Sequence, residues 1–333
     1  MKDKITMRAA YYEEQGAAAD VLKVGQLPIP IPKTGEVRVR IIMSGVNPSD
    51  IKSRTGFSGP IHFKKIIPHQ DGAGVIDAVG EGVDNLKIGD RVWLYEAQYG
   101  RANGTAAEYI VIPAIQAVSL PENISFELGA SLGIAAMTAH YSLFADGDIA
   151  GKKVLVQGGA GVVGEAAVQL AKWSGAWVAA TIRNSEDEIR VRSKGADLVI
   201  DINNEDVAEE IRKATKGSGV DRIVEVDLSS NLNVNLASLS KGGVISTYSA
   251  NNPSESLMLP ILNSMKDNIA FRFVYVYTIP EESKRKAIDD ISRCINEGKY
   301  NPTIGLIVPL EKICEAHEAI EFHKVKGKVL VQI

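Results

Sequence analysis

Cysteine is nearly missing from this 333-residue chain, where Cys294 and Cys314 are the only two. Two thiols cannot build a disulfide framework, and neither stands in a CxxC or other metal-ligand spacing, so both read as reduced structural residues. An excess of one charge is missing too. There are 37 Lys and Arg against 41 Asp and Glu, for a net charge of −4, which gives no global attraction to nucleic acid or to an anionic membrane surface. No run approaches the roughly 18 apolar residues of a spanning helix. The opening residues, MKDKITMRAAYYEEQG, lack the apolar core of a secretion signal. The expectation is a cytoplasmic protein without membrane segments. Repeats and low-complexity tracts are absent as well, and 45% hydrophobic with 23% charged residues is an ordinary globular composition. The length suggests about two domains.

What is present is a glycine turn in the right setting. In GKKVLVQGGAGVVGEAAVQLAK, residues 151–172, an apolar run at Val154–Val156 opens into Gly158, Gly159, Gly161 and Gly164, and a helical pattern follows. Gly159-x-Gly161-x-x-Gly164 fits the dinucleotide fingerprint: a tight turn, bare backbone for a pyrophosphate, and a close helix–strand contact. The anion would sit on the N–H groups that start the helix, which places Gly158, Gly159, Ala160, Gly161, Val162, Val163 and Gly164 at the cofactor. Ala166, Ala167, Leu170 and Ala171 are mostly small, as a helix packed closely on a sheet requires.

The end of the next strand, 176–182, tells which nucleotide is expected. An Asp or Glu about 20 residues beyond the glycines would hold the ribose 2′-hydroxyl of NAD, but position 183 is Arg, followed by Asn184 and Ser185. A guanidinium with neighbouring donors suits a 2′-phosphate, so NADPH is favoured. The plain alternative is a solvated Arg183 beside Glu186, Asp187 and Glu188.

Before the glycine turn, short β-like runs at Glu36–Met43, Gly74–Val79, Asp90–Tyr95 and Glu108–Ile112 are broken by Gly and Pro, the pattern of a barrel-like β unit. From about Ser125 the pattern changes to a helix over Phe126–Phe144. Strands at 154–157, 177–182, 197–201, 221–226 and 243–247 then alternate with helices at 162–173, 186–194, 205–215 and 231–240. That alternation predicts an α/β doubly wound parallel sheet. Ile269–Tyr277 adds a further β-prone run. A helix at 280–297 and short strands near 306–309 and 328–332 have the character of the first unit. A nucleotide domain inserted in a β-rich domain is expected, with the active site in the cleft between them.

Three stretches resemble the medium-chain dehydrogenase/reductase superfamily, and within it the zinc-free branch of zeta-crystallin-like quinone oxidoreductases. GVNPSD at 45–50 is similar to the family's substrate-loop motif, and DGAGVIDAVGEGVDNLKIGDRV at 71–92 to the glycine-punctuated meander of its barrel domain. The glycine turn matches the branch except at Val162, where a second Gly is usual. The resemblance implies a GroES-like catalytic domain over 1–125, a Rossmann NADPH-binding domain over 126–277 and a return to the catalytic domain over 278–333. Where zinc relatives place Cys, His and Cys, this chain has Asn47, Gln70 and an apolar residue near Ile134. Amide and alkyl groups do not replace thiolate and imidazole as zinc ligands. His69, beside Gln70 and Asp71, is the one residue that could be argued as a displaced ligand.

Quinones and α,β-unsaturated carbonyls accept hydride without a Lewis acid, because the charge delocalises onto oxygen. Hydride transfer from NADPH to such an acceptor is therefore the expected activity. The alternatives are an alkenal or enoyl double-bond reductase, one-electron quinone reduction, or a nucleotide-binding structural or RNA-binding relative with little turnover. The acidic balance speaks against RNA.

The expected catalytic set is Asn47, Lys52 and Thr138. Asn47 either donates toward the acceptor oxygen or makes an Asx-turn ahead of Pro48. Lys52 takes a position where relatives carry a pocket tyrosine, and is either an inward charge or a surface lysine. Thr138 matches a family threonine at the nicotinamide, or else bonds its own helix. Resemblance also places Tyr248, Ser249, Val274 and Val276 against the nicotinamide and brings Lys326, with Lys328, near the 2′-phosphate; a KGK pair is otherwise a solvated turn. The apolar run 269–277, left bare at a sheet edge, predicts a homodimer paired across a two-fold axis.

Overall fold

Val37, Val39 and Ile41 are buried while Glu36, Arg38 and Arg40 alternate with them at lower burial, the two-residue period of a strand with one face in a core. The structure, a computed structural model, describes residues 6–333. They form two units, one extending to Ile134 and resuming over Pro302–Ile333, the other Ala135–Asn301.

The first unit is built on a seven-stranded sheet in the order Ile304–Pro309, Lys328–Gln332, Glu36–Val46, Asp71–Val79, Arg91–Leu94 and Ala117–Ser119, with Tyr109–Pro113 also paired to Glu36–Val46. One side packs Val37, Ile76, Val92 and Ile110 together. A second cluster joins Met7, Tyr12 and Ile67 to the helix Ile313–Glu321 through Ile313 and Ala316. Antiparallel register sets Gly45 opposite Asp71 and Val46 opposite Val329. Gly45 is required there, since a Cβ would collide with the Ala130 carbonyl oxygen and press on Asp71 and Lys328.

The second unit is a six-stranded parallel sheet in the order Leu198–Asp201, Trp177–Ile182, Lys153–Val156, Val220–Glu225, Leu239–Thr247 and Ala270–Phe273. Numbered along the chain, that is 3-2-1-4-5-6, a doubly wound Rossmann sheet whose order reverses between Lys153–Val156 and Val220–Glu225. Val154, Leu155, Val156, Ile223 and Val224 are fully buried, as strands covered on both faces must be. Ala270–Phe273 forms the open edge, and beside it Phe273, Tyr275, Ile261, Leu262 and Met265 are exposed. Both cysteines are free, and burial pushes the Cys294 thiol up to about 12. Among the described residues no helix is long and apolar enough to cross a membrane.

Two elements differ from the sequence reading. The helix expected over 126–144 is two helices, Phe126–Gly129 and Gly133–Phe144. The Asp71 carboxylate accepts the Ile134 N–H at 2.9 Å, which a continuous helix would have given to the Ala130 carbonyl. The helix expected at 280–297, seen as Glu281–Asn296, belongs to the second unit rather than the first. Its C-terminal end is held by the indole of Trp173 donating to Glu297 at 2.7 Å, and the Asn301 N–H donates to Gln169 at 2.7 Å.

Candidate functional site

The strand Lys153–Val156 runs into Gln157 and a turn in which Gly158 has φ +73°. The Gly159 N–H donates to the Thr181 carbonyl at 2.9 Å, the Gly161 N–H to the Gly158 carbonyl at 3.0 Å, and the Glu165 N–H to Gly161 at 2.7 Å. Gly164 lies against the Gly158 carbonyl so closely that a Cβ would collide with it, which is the close packing expected of the third fingerprint glycine. No side chain caps the helix Val162–Trp173, so its first N–H groups, those of Val162, Val163 and Gly164, are left without a side-chain acceptor, an arrangement able to take an anion. Arg190, which the sequence reading passed over, braces this turn: it donates to the Ala160 carbonyl at 3.0 Å and to Glu165 at 2.9 Å.

Arg183 follows the strand Trp177–Ile182 directly, is exposed, and makes no ion pair among the described residues. Its carbonyl is held by the Asn203 side chain at 2.6 Å. Ser185 is exposed. Asn184 is committed locally, its side-chain oxygen accepting the Glu186 N–H at 3.0 Å. At the opposite end of the sheet edge, the half-buried Tyr248 donates its N–H to the Glu225 carbonyl at 3.2 Å, and the Val274 N–H donates to Thr247 at 2.8 Å. Burial, with the Glu225 carboxylate nearby, pushes the Tyr248 phenol well up. Val274, Val276 and Thr138 are buried, and Ser249 is half-buried.

In the first unit, three strand ends bring Asn47, Asp71 and Lys328 together. Lys328 Nζ donates to Asp71 at 2.8 Å and to Asn47 Oδ1 at 2.7 Å, and Asn47 Nδ2 donates to the same Asp71 oxygen at 2.8 Å. All three are buried. Asn47 thus has its amide tied into an ion pair, which neither sequence alternative contained, and it also starts the helix Pro48–Thr55 in a capping box, its N–H donating to Asp50 at 2.8 Å, close to the local turn that was the second alternative. The solvated KGK turn is corrected likewise: Lys326 is exposed, but Lys328 is among the largest fully buried side chains. Lys52 is half-buried with its ammonium 4.4 Å from the centre of the Phe57 ring. Burial pushes the Asp50 carboxyl up to about 8, reinforced by the Asp71 charge.

A second buried chain reaches Asp71 from behind. Arg54 Nε donates to His317 Nδ1 at 3.3 Å, His317 and His69 share a bond between their Nε2 atoms at 3.0 Å, His69 Nδ1 meets Ser44 Oγ at 2.7 Å, and Ser44 meets Thr105 at 2.7 Å. Thr105 donates to the Asp71 carbonyl. Burial pushes His69 down to about 3 and His317 well below its ordinary value, so both rings are neutral and both His69 nitrogens are engaged. A zinc ion does not fit this donor set. Asn47 is bound to Asp71 and Lys328, the Gln70 amide is paired with Gln98 at 3.1 Å, and Ile134 offers only alkyl carbon.

Two family models match the chain, the alcohol dehydrogenase GroES-like domain over residues 33–122 and the zinc-binding dehydrogenase over residues 162–293. A quinone oxidoreductase of Sus scrofa is 32% identical over 306 residues, covering 90% of each chain. Among solved structures, an NAD-dependent alcohol dehydrogenase superposes with a TM-score of 0.87 at 29% identity, over 98% of this chain and 100% of its own. A mycobacterial protein complexed with NADPH gives a TM-score of 0.85 at 26% identity with the same coverage.

Proposed function

Because the chain belongs to the zeta-crystallin-like quinone oxidoreductases of the medium-chain dehydrogenase/reductase superfamily, we propose that it transfers hydride from NADPH to a quinone or α,β-unsaturated carbonyl, without zinc, as a cytoplasmic homodimer. The dinucleotide fits the second unit. Val162, Val163 and Gly164 would take the pyrophosphate on their N–H groups, and Arg183 the 2′-phosphate. Tyr248, Ser249, Val274 and Val276 would border the nicotinamide at the C-terminal edge of the sheet, where ligands of such folds bind. The bound cofactor supplies the hydride, and the protein supplies orientation and exclusion of water.

The choice of NADPH rests on one observation. Arg183 stands exposed and without an ion-pair partner where an NAD-preferring sheet would present a carboxylate, and NAD and NADPH each have a structural neighbour. The zinc-free reading rests on the amides of Asn47 and Gln70 already being engaged. The experiment is nucleotide oxidation by EDTA-treated protein offered benzoquinone, phenanthrenequinone and a short 2-alkenal, with NADPH and NADH in parallel. Turnover that survives EDTA and prefers NADPH is expected. Loss of turnover on metal removal, or equal use of NADH, overturns the corresponding half of the proposal.

A further inference from the structure

Beneath the glycine turn, four buried polar side chains cross the C-terminal edge of the parallel sheet in a single file. The Gly158 N–H donates to Thr181 Oγ1 at 2.9 Å, the Thr181 hydroxyl donates to Gln157 Oε1 at 2.9 Å, and Gln157 Nε2 donates to Asn235 Oδ1 at 2.8 Å. Asn235 Nδ2 then donates to Glu225. Gln157, Thr181, Asn235 and Glu225 come from four separate segments of the second unit and are all buried.

The two ends of this file cannot be reversed. A peptide N–H only donates, and the Glu225 carboxylate accepts from Asn235, from Asn231 Nδ2 at 3.0 Å and from the Asp227 N–H. Between them an amide can flip and a hydroxyl can rotate, but only one arrangement gives every donor an acceptor. The carboxylate therefore sets the orientation of Asn235, hence of Gln157, hence of the Thr181 hydroxyl, whose lone pair is left facing Gly158.

We propose that Glu225 is a positioning residue for nucleotide binding, acting through Asn235, Gln157 and Thr181 to fix the Gly158 peptide and with it the dinucleotide turn. This rests on the turn being the nucleotide site. Among the described residues neither the Glu225 nor the Asn235 side chain hydrogen-bonds to a fingerprint glycine, so their effect travels through hydrogen-bond direction.

The polarity can be tested by moving the charge. Glu225→Gln introduces an amide that either sets donor against donor at Asn231, Asp227 or Asn235 or, after Asn235 and Gln157 flip, makes the Thr181 hydroxyl accept from both Gln157 and Gly158 and leaves its own buried O–H without an acceptor. Pairing it with Asn235→Asp restores a consistent file, because the carboxylate placed at position 235 accepts both from Gln157 and from the amide placed at position 225. The readouts are NADPH binding by fluorescence titration, the KM for NADPH separated from kcat, and hydrogen exchange of the Gly158 amide. The single variant is expected to weaken NADPH binding by about tenfold, the effect of one buried unsatisfied donor, to raise the KM for NADPH with kcat nearly unchanged, and to speed Gly158 exchange. The double variant is expected to recover both binding and protection. Thr181→Val should reproduce the single variant and Thr181→Ser should not. Unchanged binding and exchange in Glu225→Gln, or a double variant no better than the single, overturns the proposal. A wild type that binds neither NADPH nor NADH instead sinks the functional reading, and Gly158 exchange then decides alone whether the file holds the turn.

Discussion

Replacing Lys328 by Met leaves the buried Asp71 carboxylate without its counter-charge. At 2.8 Å and an effective dielectric of about 20, the attraction is on the order of 6 kcal/mol, and much of it is offset by the cost of taking the ammonium out of water. What the variant loses is larger than that net contribution, because Asp71 stays buried with only Asn47 and the Ile134 N–H as donors and Asn47 Oδ1 loses its partner. A broken buried pair of this kind costs about 3–5 kcal/mol. Adding Asp71→Asn removes the stranded charge and should recover most of the loss. The assay is urea unfolding at pH 7, followed through Trp93 of the same sheet with Trp173 and Trp177 replaced by Phe. A loss under about 1 kcal/mol at pH 7, or a double variant no more stable than Lys328→Met, would refute the idea that this ion pair holds the three strand ends together.

The same structure sets three further outcomes. His69 and His317 are held neutral in the fold by burial and take up a proton only on unfolding, so their contribution is whole above about pH 6.5 and is lost as pH falls below it. Replacing both by Gln should lower the acid slope of unfolding free energy by about 2.7 kcal/mol per pH unit near pH 5; Asp50, whose raised carboxyl pulls the other way, is common to both proteins, and an unchanged slope would show the rings are not neutral. Arg183→Asp should raise the KM for NADPH by about tenfold or more while sparing NADH, read in steady-state kinetics; an equal effect on both would return Arg183 to the solvent. Light scattering should give two copies for wild type and one for Phe273→Asp, placed on the exposed edge strand; a monomeric wild type at micromolar concentration ends that proposal.

Local chemistry was legible and distant pairing was not. The glycine turn, the alternation of strand and helix and Arg183 each declare themselves within about 30 residues, because period, turn residues and strand ends are local constraints. Lys328 and Asp71 are 257 positions apart, His69 and His317 248, and Arg54 and Glu321 267. Nothing in KGK marks a buried lysine until the strand that follows it is laid beside Gly45. The break after Gly129 was invisible for the same reason, since the carboxylate that starts the second helix belongs to Asp71. Glu225, Asn235 and Thr181 read as ordinary strand-end and helix residues, and only the sheet order brings them into one file.

The last strand of the first unit, Lys328–Gln332, lies between Ile304–Pro309 and Glu36–Val46, and that placement governs the order in which the protein can be made. The second unit is one uninterrupted stretch and can complete itself while the chain is still being translated. The first unit, begun earlier, must wait for residues 302–333. Until then the Met43–Val46 end of Glu36–Val46 is unpaired on one side and Asp71 lacks its lysine, a vulnerable interval for a nascent chain. The half that is synthesised first is therefore the half that finishes last, and a ribosome stalled after Asn301 would release a finished nucleotide unit attached to an unfinished sheet.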